Sequence, residues 1–248
     1  MLIDSHIHIG KFFDEYYSPS YISQLMADVG VDYYAVSSTT ICEENYIKVL
    51  SELHELILLD GPKVLPVMWI TPEGLKGNIA WFLEANITWR MLKIHPFLHQ
   101  KEWRPDGELF AEVLDIAREL QLPLLIHTGN EACCKADIYE QAVKENPDIV
   151  FILAHGRPID SSIRIARRYE NAYIDSAFMP IEHMKLFIEN SLSEKLLWGT
   201  DMCIPLHFEH SIDLTAYYQQ KLISFRSIST QEQYENVICN NIIRLLWH

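Results

Sequence analysis

The chain has 248 residues, of which 49% are hydrophobic and 22% charged, and this size and composition indicate a globular chain with a sizeable core rather than a disordered one. Its formal net charge of -14 at pH 7 is not interrupted by any cluster of lysine and arginine, which disfavours a nucleic-acid partner. The longest apolar stretches, 64–70 and 149–154, are far shorter than the ~20 residues that a membrane-spanning helix needs, so no membrane partner is expected.

Short apolar runs rich in β-branched and aromatic residues alternate along the chain with longer segments of helical periodicity. The runs predict eight strands, at residues 2–9, 33–38, 64–70, 91–95, 123–128, 150–155, 173–177 and 196–200. Apolar residues at helical spacing predict a helix over 109–120 behind an Asp106 cap and a helix from 163 behind a cap within 160–162. A last amphipathic helix is predicted over 231–247.

Near-continuous apolar strands that alternate with helices are typical of a parallel sheet whose outer face is covered by those helices. An open, doubly wound sheet gives a similar alternation, but eight repeats and the position of the polar residues favour closure. No linker rich in glycine, proline or serine divides the chain. The predicted fold is therefore an α/β fold, a (β/α)8 TIM-type barrel that forms a single domain over residues 1–248.

Ionisable side chains stand at the ends of five of the eight predicted strands. In a parallel barrel the carboxyl ends of all strands meet at one mouth, where the reactive groups project. The residues concerned are His6 and His8 on the first strand, Lys93 and His95 on the fourth, His127 on the fifth, His155 and Arg157 at the sixth, and Asp201 at the eighth.

The pair His6 and His8 is the strongest single signal, because residues two apart on a strand point to the same face. An isolated His-x-His is a metal clamp only about half the time and otherwise two polar side chains at a strand end. The third imidazole of His127 and the carboxylate of Asp201 complete three nitrogens and one oxygen, a set that suits Zn²⁺ and also Mn²⁺ or Fe²⁺. We therefore predict a divalent metal site at the barrel mouth.

The remaining polar residues at the mouth have more than one interpretation. His155 is interpreted as a donor to an oxygen that becomes negative during the reaction, with a further metal ligand and a backbone-bonded core histidine as alternatives. Lys93 suits a substrate carboxylate, a carbamylated bridge between two metals or a structural ion pair, and His95 shares its face. Asp175 could orient a ligand histidine through its second ring nitrogen, but an ordinary strand-end carboxylate is favoured.

Two further features bear on the compartment. The N-terminal sequence MLIDSHIHIG has no basic stretch that leads into an apolar segment, so no secretory signal is expected and a cytoplasmic location follows. The five cysteines, an odd number without zinc-ribbon spacing, are expected to be free thiols of a reducing compartment. Metal or redox chemistry at the adjacent Cys133 and Cys134 is the alternative to two buried or half-buried thiols, which we favour.

The ordered set of motifs resembles the amidohydrolase superfamily, in particular the amidohydrolase-related branch that contains aminocarboxymuconate-semialdehyde decarboxylase. The resemblance runs nearly end to end, through DSHIHIG at 4–10, LKIHP at 92–96, LLIHTGN at 124–130, FILAHGRP at 151–158, YIDSAF at 173–178, LLWGTDM at 196–202 and NIIRLL at 241–246. Each motif alone is weakly specific, whereas the ordered set is specific.

The resemblance implies a role for each matching residue. His6 and His8 become first-strand ligands, His127 the fifth-strand ligand, and Asp201 a carboxylate that both touches metal and moves a proton. In decarboxylase-like members the histidine at position 155 resembles an acid/base, whereas in dinuclear hydrolases it binds a second ion. Lys93 stands where dinuclear members carry a carboxylated lysine, but this branch often has Lys-x-His-Pro there without a bridge, so one ion is favoured over two.

The function expected from residues and resemblance together is metal-dependent hydrolysis of a small amide, ester or lactone, with Asp201 and His155 as catalytic residues. Non-oxidative decarboxylation of a small carboxylic acid is the alternative reaction, and a non-catalytic, ligand-binding barrel is the alternative of another class. Lys93, His95 and Arg157 would suit an anionic small-molecule substrate, with Trp69, Trp103 and Phe178 as an aromatic wall. An apolar fraction near half is also compatible with a homodimer.

Overall fold

The computed structural model describes residues 1–99 and 102–247. Nine strands are formed by β1 Ile3–Phe12, β2 Glu15–Tyr17, β3 Tyr33–Ser38, β4 Lys63–Trp69, β5 Met91–Ile94, β6 Leu124–His127, β7 Phe151–Ala154, β8 Ala172–Asp175 and β9 Leu196–Leu197. The α-helices are α1 Pro19–Asp28, α2 Tyr46–Leu58, α3 Ile79–Glu84, α4 Glu108–Leu120, α5 Glu140–Glu145, α6 Ile159–Arg168, α7 Ile181–Glu189, α8 Ile204–Phe208, α9 Leu214–Ile228, α10 Gln231–Glu235 and α11 Asn241–Leu246. In this described part of the chain, no helix combines the length and apolar character needed to cross a membrane.

The sheet closes into a barrel. Its strand order is β2-β1-β3-β4-β5-β6-β7-β8-β9, and every neighbouring pair except β1 with β2 is parallel. The barrel closes between β1 and the segment that follows β9, because the Ser5 N–H donates to the Trp198 carbonyl at 2.8 Å and the Asp201 N–H donates to the His6 carbonyl at 2.8 Å. The predicted (β/α)8 barrel is thereby confirmed, with Asp201 beside His6 as a direct result of closure.

Apolar composition explains why these strands form the core. The short strands β5 and β7 are buried along their whole length, as expected of parallel strands covered by helices on one face and by the barrel interior on the other. The crossover helices present a single apolar face to the strands, as in α4, which buries Phe110, Val113, Leu114 and Ala117. This rigid scaffold fixes where each strand end points.

The first strand and two helix starts differ from the sequence prediction. β1 continues past residue 9 to Phe12 because its end pairs antiparallel with β2, and periodicity alone does not report this hairpin. The predicted Asp106 cap is wrong: Gly107 caps α4, and the Asp106 carboxylate accepts hydrogen bonds from Arg104 instead. The predicted cap within 160–162 is also wrong, since α6 begins after Pro158 and Asp160 lies in its first turn.

Gly10 occupies a position in β1 that no other residue fits without strain. Its φ is +88°, and a Cβ atom there would lie no more than 2.8 Å from oxygens of Ser38, Thr40 and Glu52. These oxygens form one buried network, in which Glu52 accepts hydrogen bonds from the hydroxyls of Ser38 at 2.6 Å and Thr40 at 3.0 Å. The network connects α2 to the end of β3, next to the strand that carries His6 and His8.

Gly10→Ala is therefore expected to lower the free energy of unfolding by about 3 kcal/mol, the sum of left-handed backbone strain and forced displacement of the network. Gly30→Ala is the matched control, because Gly30 also has a positive φ, +79°, but has open space where a Cβ would lie. The control should cost only about 1–2 kcal/mol. Urea denaturation of both variants measures the difference, and equal losses would show that the network adapts without cost.

Candidate metal centre

Eight ionisable side chains converge where the parallel strands end. Six of them are buried, and His95 and His127 are half-buried. They project from β1 (His6 and His8), from β5 and the residue after it (Lys93 and His95), from β6 (His127), from the residue after β7 (His155), from β8 (Asp175) and from the loop after β9 (Asp201). The positions selected from the sequence are thus brought together at one mouth.

His6, His8 and Asp201 form the tightest group. The Asp201 Oδ1 atom lies 3.0 Å from His8 Nε2 and 3.5 Å from His6 Nε2, and these ligand atoms all lie within 4.8 Å of one another. Asp201 has a φ of +62°, a strained conformation for a residue with a side chain, which is retained where the surrounding structure holds it. Burial by itself raises the pKa of Asp201, but the neighbouring histidines His6, His8 and His155 together outweigh burial and leave that pKa well below its ordinary value. Asp201 is therefore an ionised carboxylate.

The hydrogen bonds of His6 and His8 fix which ring nitrogen faces this group. His6 Nδ1 lies 2.6 Å from a carboxylate oxygen of Asp175, so Nδ1 carries a proton that it donates. His8 Nδ1 lies 3.3 Å from the Ser37 carbonyl and 3.1 Å from its hydroxyl. Burial, followed by the charge of Lys93, lowers the pKa of His8 to about 3, so this ring is neutral. Both Nε2 atoms are consequently assigned as unprotonated, each with a lone pair available at this group.

A divalent ion fits this arrangement. The Oδ1 atom of Asp201 is buried and has no hydrogen-bond partner among the described residues, although it faces two imidazole nitrogens. A buried acceptor left unsatisfied in this way is costly, and a cation placed between the oxygen and the nitrogens removes that cost. Two imidazole nitrogens and one carboxylate oxygen are ligands of Zn²⁺, and Asp175 behind His6 is the kind of carboxylate that orients a ligand ring.

His127 and His155 form a second, hydrogen-bonded pair beside this group. His155 Nδ1 donates to the Ala177 carbonyl at 3.0 Å, so its Nε2 accepts a hydrogen bond from His127 Nδ1 at 3.1 Å. His127 Nε2 is then the unprotonated nitrogen of its ring and carries a lone pair. Burial lowers the pKa of His127 well below its ordinary value and that of His155 to about 4, so both rings are neutral.

The two histidines differ in how close they lie to the other ligand atoms. His155 joins His6 and Asp175 in a second group whose atoms lie within 4.8 Å of one another, whereas His127 belongs to neither group. The His127 ring instead stacks on His95, with ring centroids 3.8 Å apart and an interplanar angle of 15°. His127 is therefore adjacent to the metal group and outside its tightest part.

Lys93 lies against the histidine pair rather than against a carboxylate. Its Nζ lies 2.8 Å from His6 Nε2 and 3.0 Å from His8 Nε2, and 4.4 Å from the centroid of the Trp69 ring. Burial lowers the pKa of Lys93 to about 8. Among the described residues no carboxylate lies within ion-pair distance of Nζ, so the structural ion pair considered from the sequence is not formed.

The residues proposed to bind the substrate, and those proposed as its aromatic wall, differ in their position relative to the barrel mouth. The Arg157 guanidinium donates to the Phe178 carbonyl at 3.3 Å, and the Phe178 ring lies 6.3 Å from the His155 ring. Trp69 stacks on His95 with centroids 5.4 Å apart, which places it at the wall of the site. Trp103 is fully buried, and its carbonyl accepts a hydrogen bond from Tyr139.

Some contacts of the site were not foreseen from the sequence. Ser37 and Ala177, which accept the Nδ1 protons of His8 and His155, offered no signal, because backbone carbonyls are the same in every residue. Asp175, which the sequence favoured as an ordinary carboxylate, is the partner of His6. All five cysteines are free thiols, with Cys134 buried and Cys133 half-buried.

Comparisons with known proteins identify the family and the fold of the chain. A family model described as "Amidohydrolase" matches residues 73–246, which is more than half of the chain. Among curated proteins, no sequence matches this chain.

Several solved structures share the fold at low sequence identity. An uncharacterized TIM-barrel protein from Bordetella bronchiseptica superposes with a TM-score of 0.73 at 15% identity and covers 99% of this chain and 98% of its own. The 5-carboxyvanillate decarboxylase LigW from Sphingomonas paucimobilis has a TM-score of 0.70 at 12% identity, with 99% and 98% covered. An amidohydrolase from Burkholderia multivorans with bound zinc has a TM-score of 0.69 at 12% identity, with 99% of each chain covered.

Proposed function

Because this chain belongs to the amidohydrolase family, we propose that it is a metal-dependent hydrolase that uses water to cleave a small amide, ester or lactone. The observation that carries the proposal is the buried Oδ1 atom of Asp201, which has no hydrogen-bond partner in the described part of the chain and faces the Nε2 atoms of His6 and His8. One ion per chain is proposed, Zn²⁺ first and Mn²⁺ or Fe²⁺ as alternatives, and a zinc-bound amidohydrolase of the same fold supports this choice.

The proposed ligands are His6, His8, His127 and Asp201. The first two and Asp201 already converge, and His127, whose Nδ1 is hydrogen-bonded to the neighbouring His155, would bring its Nε2 to the ion. A divalent ion held there would supply Lewis acidity, which activates water near neutral pH and polarises a carbonyl. Asp175 would hold the His6 ring in the orientation that this requires.

Asp201 and His155 are proposed to move the protons. Asp201 is ionised, so its free oxygen can accept a proton from the attacking water. His155 keeps its Nδ1 proton on the Ala177 carbonyl, so a proton that it takes up and passes to the substrate would sit on Nε2, the atom that now accepts the hydrogen bond from His127. A donor at this position would stabilise the negative charge that develops on the carbonyl oxygen by on the order of 3 kcal/mol.

A small anionic substrate is proposed. Lys93, His95 and Arg157 surround the mouth with hydrogen-bond donors, and guanidinium and ammonium groups recognise carboxylates. Such local groups would have to overcome the formal net charge of -14, which repels anions at long range. We also propose that the protein is located in the cytoplasm and forms a homodimer.

Non-oxidative decarboxylation is the second candidate reaction. It is favoured by the shared fold of 5-carboxyvanillate decarboxylase and by His155, whose Nε2 could deliver a proton to carbon instead of to a leaving group. A barrel that binds metal or ligand without catalysis is the alternative of another class, since fold alone never fixes activity.

The test is turnover of a panel of esters, lactones, amides and aromatic or aliphatic carboxylic acids by zinc-loaded protein. Carbon dioxide release and hydrolysis products are measured separately. Hydrolysis of a panel member, lost after chelation and restored by Zn²⁺, is the expected result. Carbon dioxide release without hydrolysis would assign the decarboxylase reaction, and tight zinc binding without any turnover would assign the non-catalytic barrel.

A further inference from the structure

Lys93 engages the same two nitrogen atoms that the proposed metal needs. Its Nζ is 2.8 Å from His6 Nε2 and 3.0 Å from His8 Nε2, and the side chain is buried. Nζ is a donor, so it uses the single lone pair of each Nε2 atom. Each lone pair can serve one partner, either the Lys93 hydrogen or a metal ion.

Geometry makes the two occupants mutually exclusive. A zinc ion lies about 2.0–2.1 Å from each imidazole nitrogen that binds it and takes up the lone pair that the Nζ hydrogen now uses. An amino group that remained 2.8–3.0 Å from the same nitrogens would crowd the ion, and as an ammonium it would repel it strongly in this buried setting. Metal binding to His6 and His8 therefore requires Nζ to leave.

The Lys93 amino group already contacts a further partner, the Trp69 ring, which it can keep when it leaves the two imidazoles. The face of Trp69, one strand away on β4, lies 4.4 Å from Nζ, within the range at which a lysine interacts with an indole ring. The long, flexible lysine stem allows a shift toward that ring without a change in the backbone of β5. Displacement thus needs a rotamer change and no rearrangement of the barrel.

We propose that Lys93 is a built-in competitor for the metal, which bridges His6 and His8 in the metal-free protein and moves toward Trp69 when the ion binds. The inference rests on the proposed metal site. It differs from a carboxylated lysine ligand, because in that case Lys93 would add oxygen atoms to the ion and its removal would weaken binding. Here its removal strengthens binding.

The experiment measures the dissociation constant for Zn²⁺ by competition with a chromophoric chelator, in the metal-free wild-type protein and in Lys93→Met. Methionine keeps most of the stem and removes the donor. We expect binding about tenfold tighter in Lys93→Met, because two hydrogen bonds no longer have to be broken. Lys185→Met is the matched control, since the exposed Lys185 pairs with Glu189 on α7, and the dissociation constant of this variant should equal that of the wild type.

Lys93→Gln is a second variant, which tests the proposal even if Lys93→Met has a folding defect. Its amide is shorter than the lysine side chain and can donate to only part of the site, so its affinity for Zn²⁺ should lie between those of the wild type and Lys93→Met. The Co²⁺ spectrum should be the same in wild type and Lys93→Met, which shows an unchanged ligand set. Unchanged or weaker Zn²⁺ binding in both variants, or an altered spectrum, would overturn the competitor role while leaving the metal site intact. Absence of Zn²⁺ binding in wild type and variants alike would instead remove the metal site and the proposed function with it.

Discussion

Replacing Asp201 with asparagine is expected to lower kcat by about 10³-fold or more while much of the metal stays bound. The variant keeps the shape of the side chain and an oxygen that can face His6 and His8, but an amide cannot accept a proton from water. Positioned general acid–base groups contribute about 10²–10⁴-fold to rate, and Asp201 is the carboxylate whose free oxygen is available for this role. Turnover is measured on any substrate identified in the panel, and metal content by elemental analysis of the same samples.

Asp32→Asn is the control for the loss of one carboxylate, because Asp32 lies at the surface near the N-terminus and just before β3, at the opposite end of that strand from Ser37, which contacts His8. It should keep full turnover. Near-normal turnover in metal-replete Asp201→Asn would remove Asp201 from the proposed mechanism. Parallel loss of metal and turnover would limit its role to holding the ion.

The barrel could be predicted from the sequence because the information is local. Each of the eight parallel strands is a short apolar run, and β5 and β7 are buried from end to end, so hydrophobic pattern and strand position coincide. The hairpin of β1 and β2 is not predicted from the sequence. It pairs three positions, Gly10 with Tyr17 among them, and a segment this short shows no recognisable alternation of apolar and polar residues. The Asp106 cap failed because a nearby Arg104 competes for the carboxylate.

The sequence predicts which strand end carries each residue of the candidate site, but not the orientation of the side chains. Closure of the barrel places the end of β9 beside β1, which brings Asp201 to His6 and His8 as the alternation implied. Which ring nitrogen faces inward depends on partners such as Ser37, whose acceptor is a backbone carbonyl and leaves no trace in the residue type. The position of Lys93 between two imidazoles likewise depends on a rotamer, which a sequence pattern does not encode.

Asp175→Asn is expected to weaken Zn²⁺ binding by about 10–100-fold, the usual effect of removing a carboxylate behind a ligand histidine. The Asp175 carboxylate accepts the Nδ1 proton of His6 at 2.6 Å; burial by itself raises its pKa, but the interaction with His6 outweighs burial and lowers that pKa to about 2. An ionised partner of this kind makes His6 Nε2 a better ligand, and an asparagine oxygen retains the geometry without the charge. The dissociation constant is measured by chelator competition.

A purely structural role for Asp175 predicts a different pattern, and Asp4→Asn provides the comparison. Asp4 is also a fully buried carboxylate at the junction of β1 and β9, but it accepts hydrogen bonds from the hydroxyl and N–H of Thr200 and from the backbone N–H of His6, and not from a ligand ring nitrogen. Both variants should unfold at lower urea concentration than the wild type. Only Asp175→Asn should also bind Zn²⁺ about 10–100-fold more weakly than the wild type. At saturating Zn²⁺, Asp175→Asn should recover most of its turnover, because the charge acts on the ligand and not on the substrate. Equal losses of affinity in the two variants would show that Asp175 supports the barrel rather than the metal.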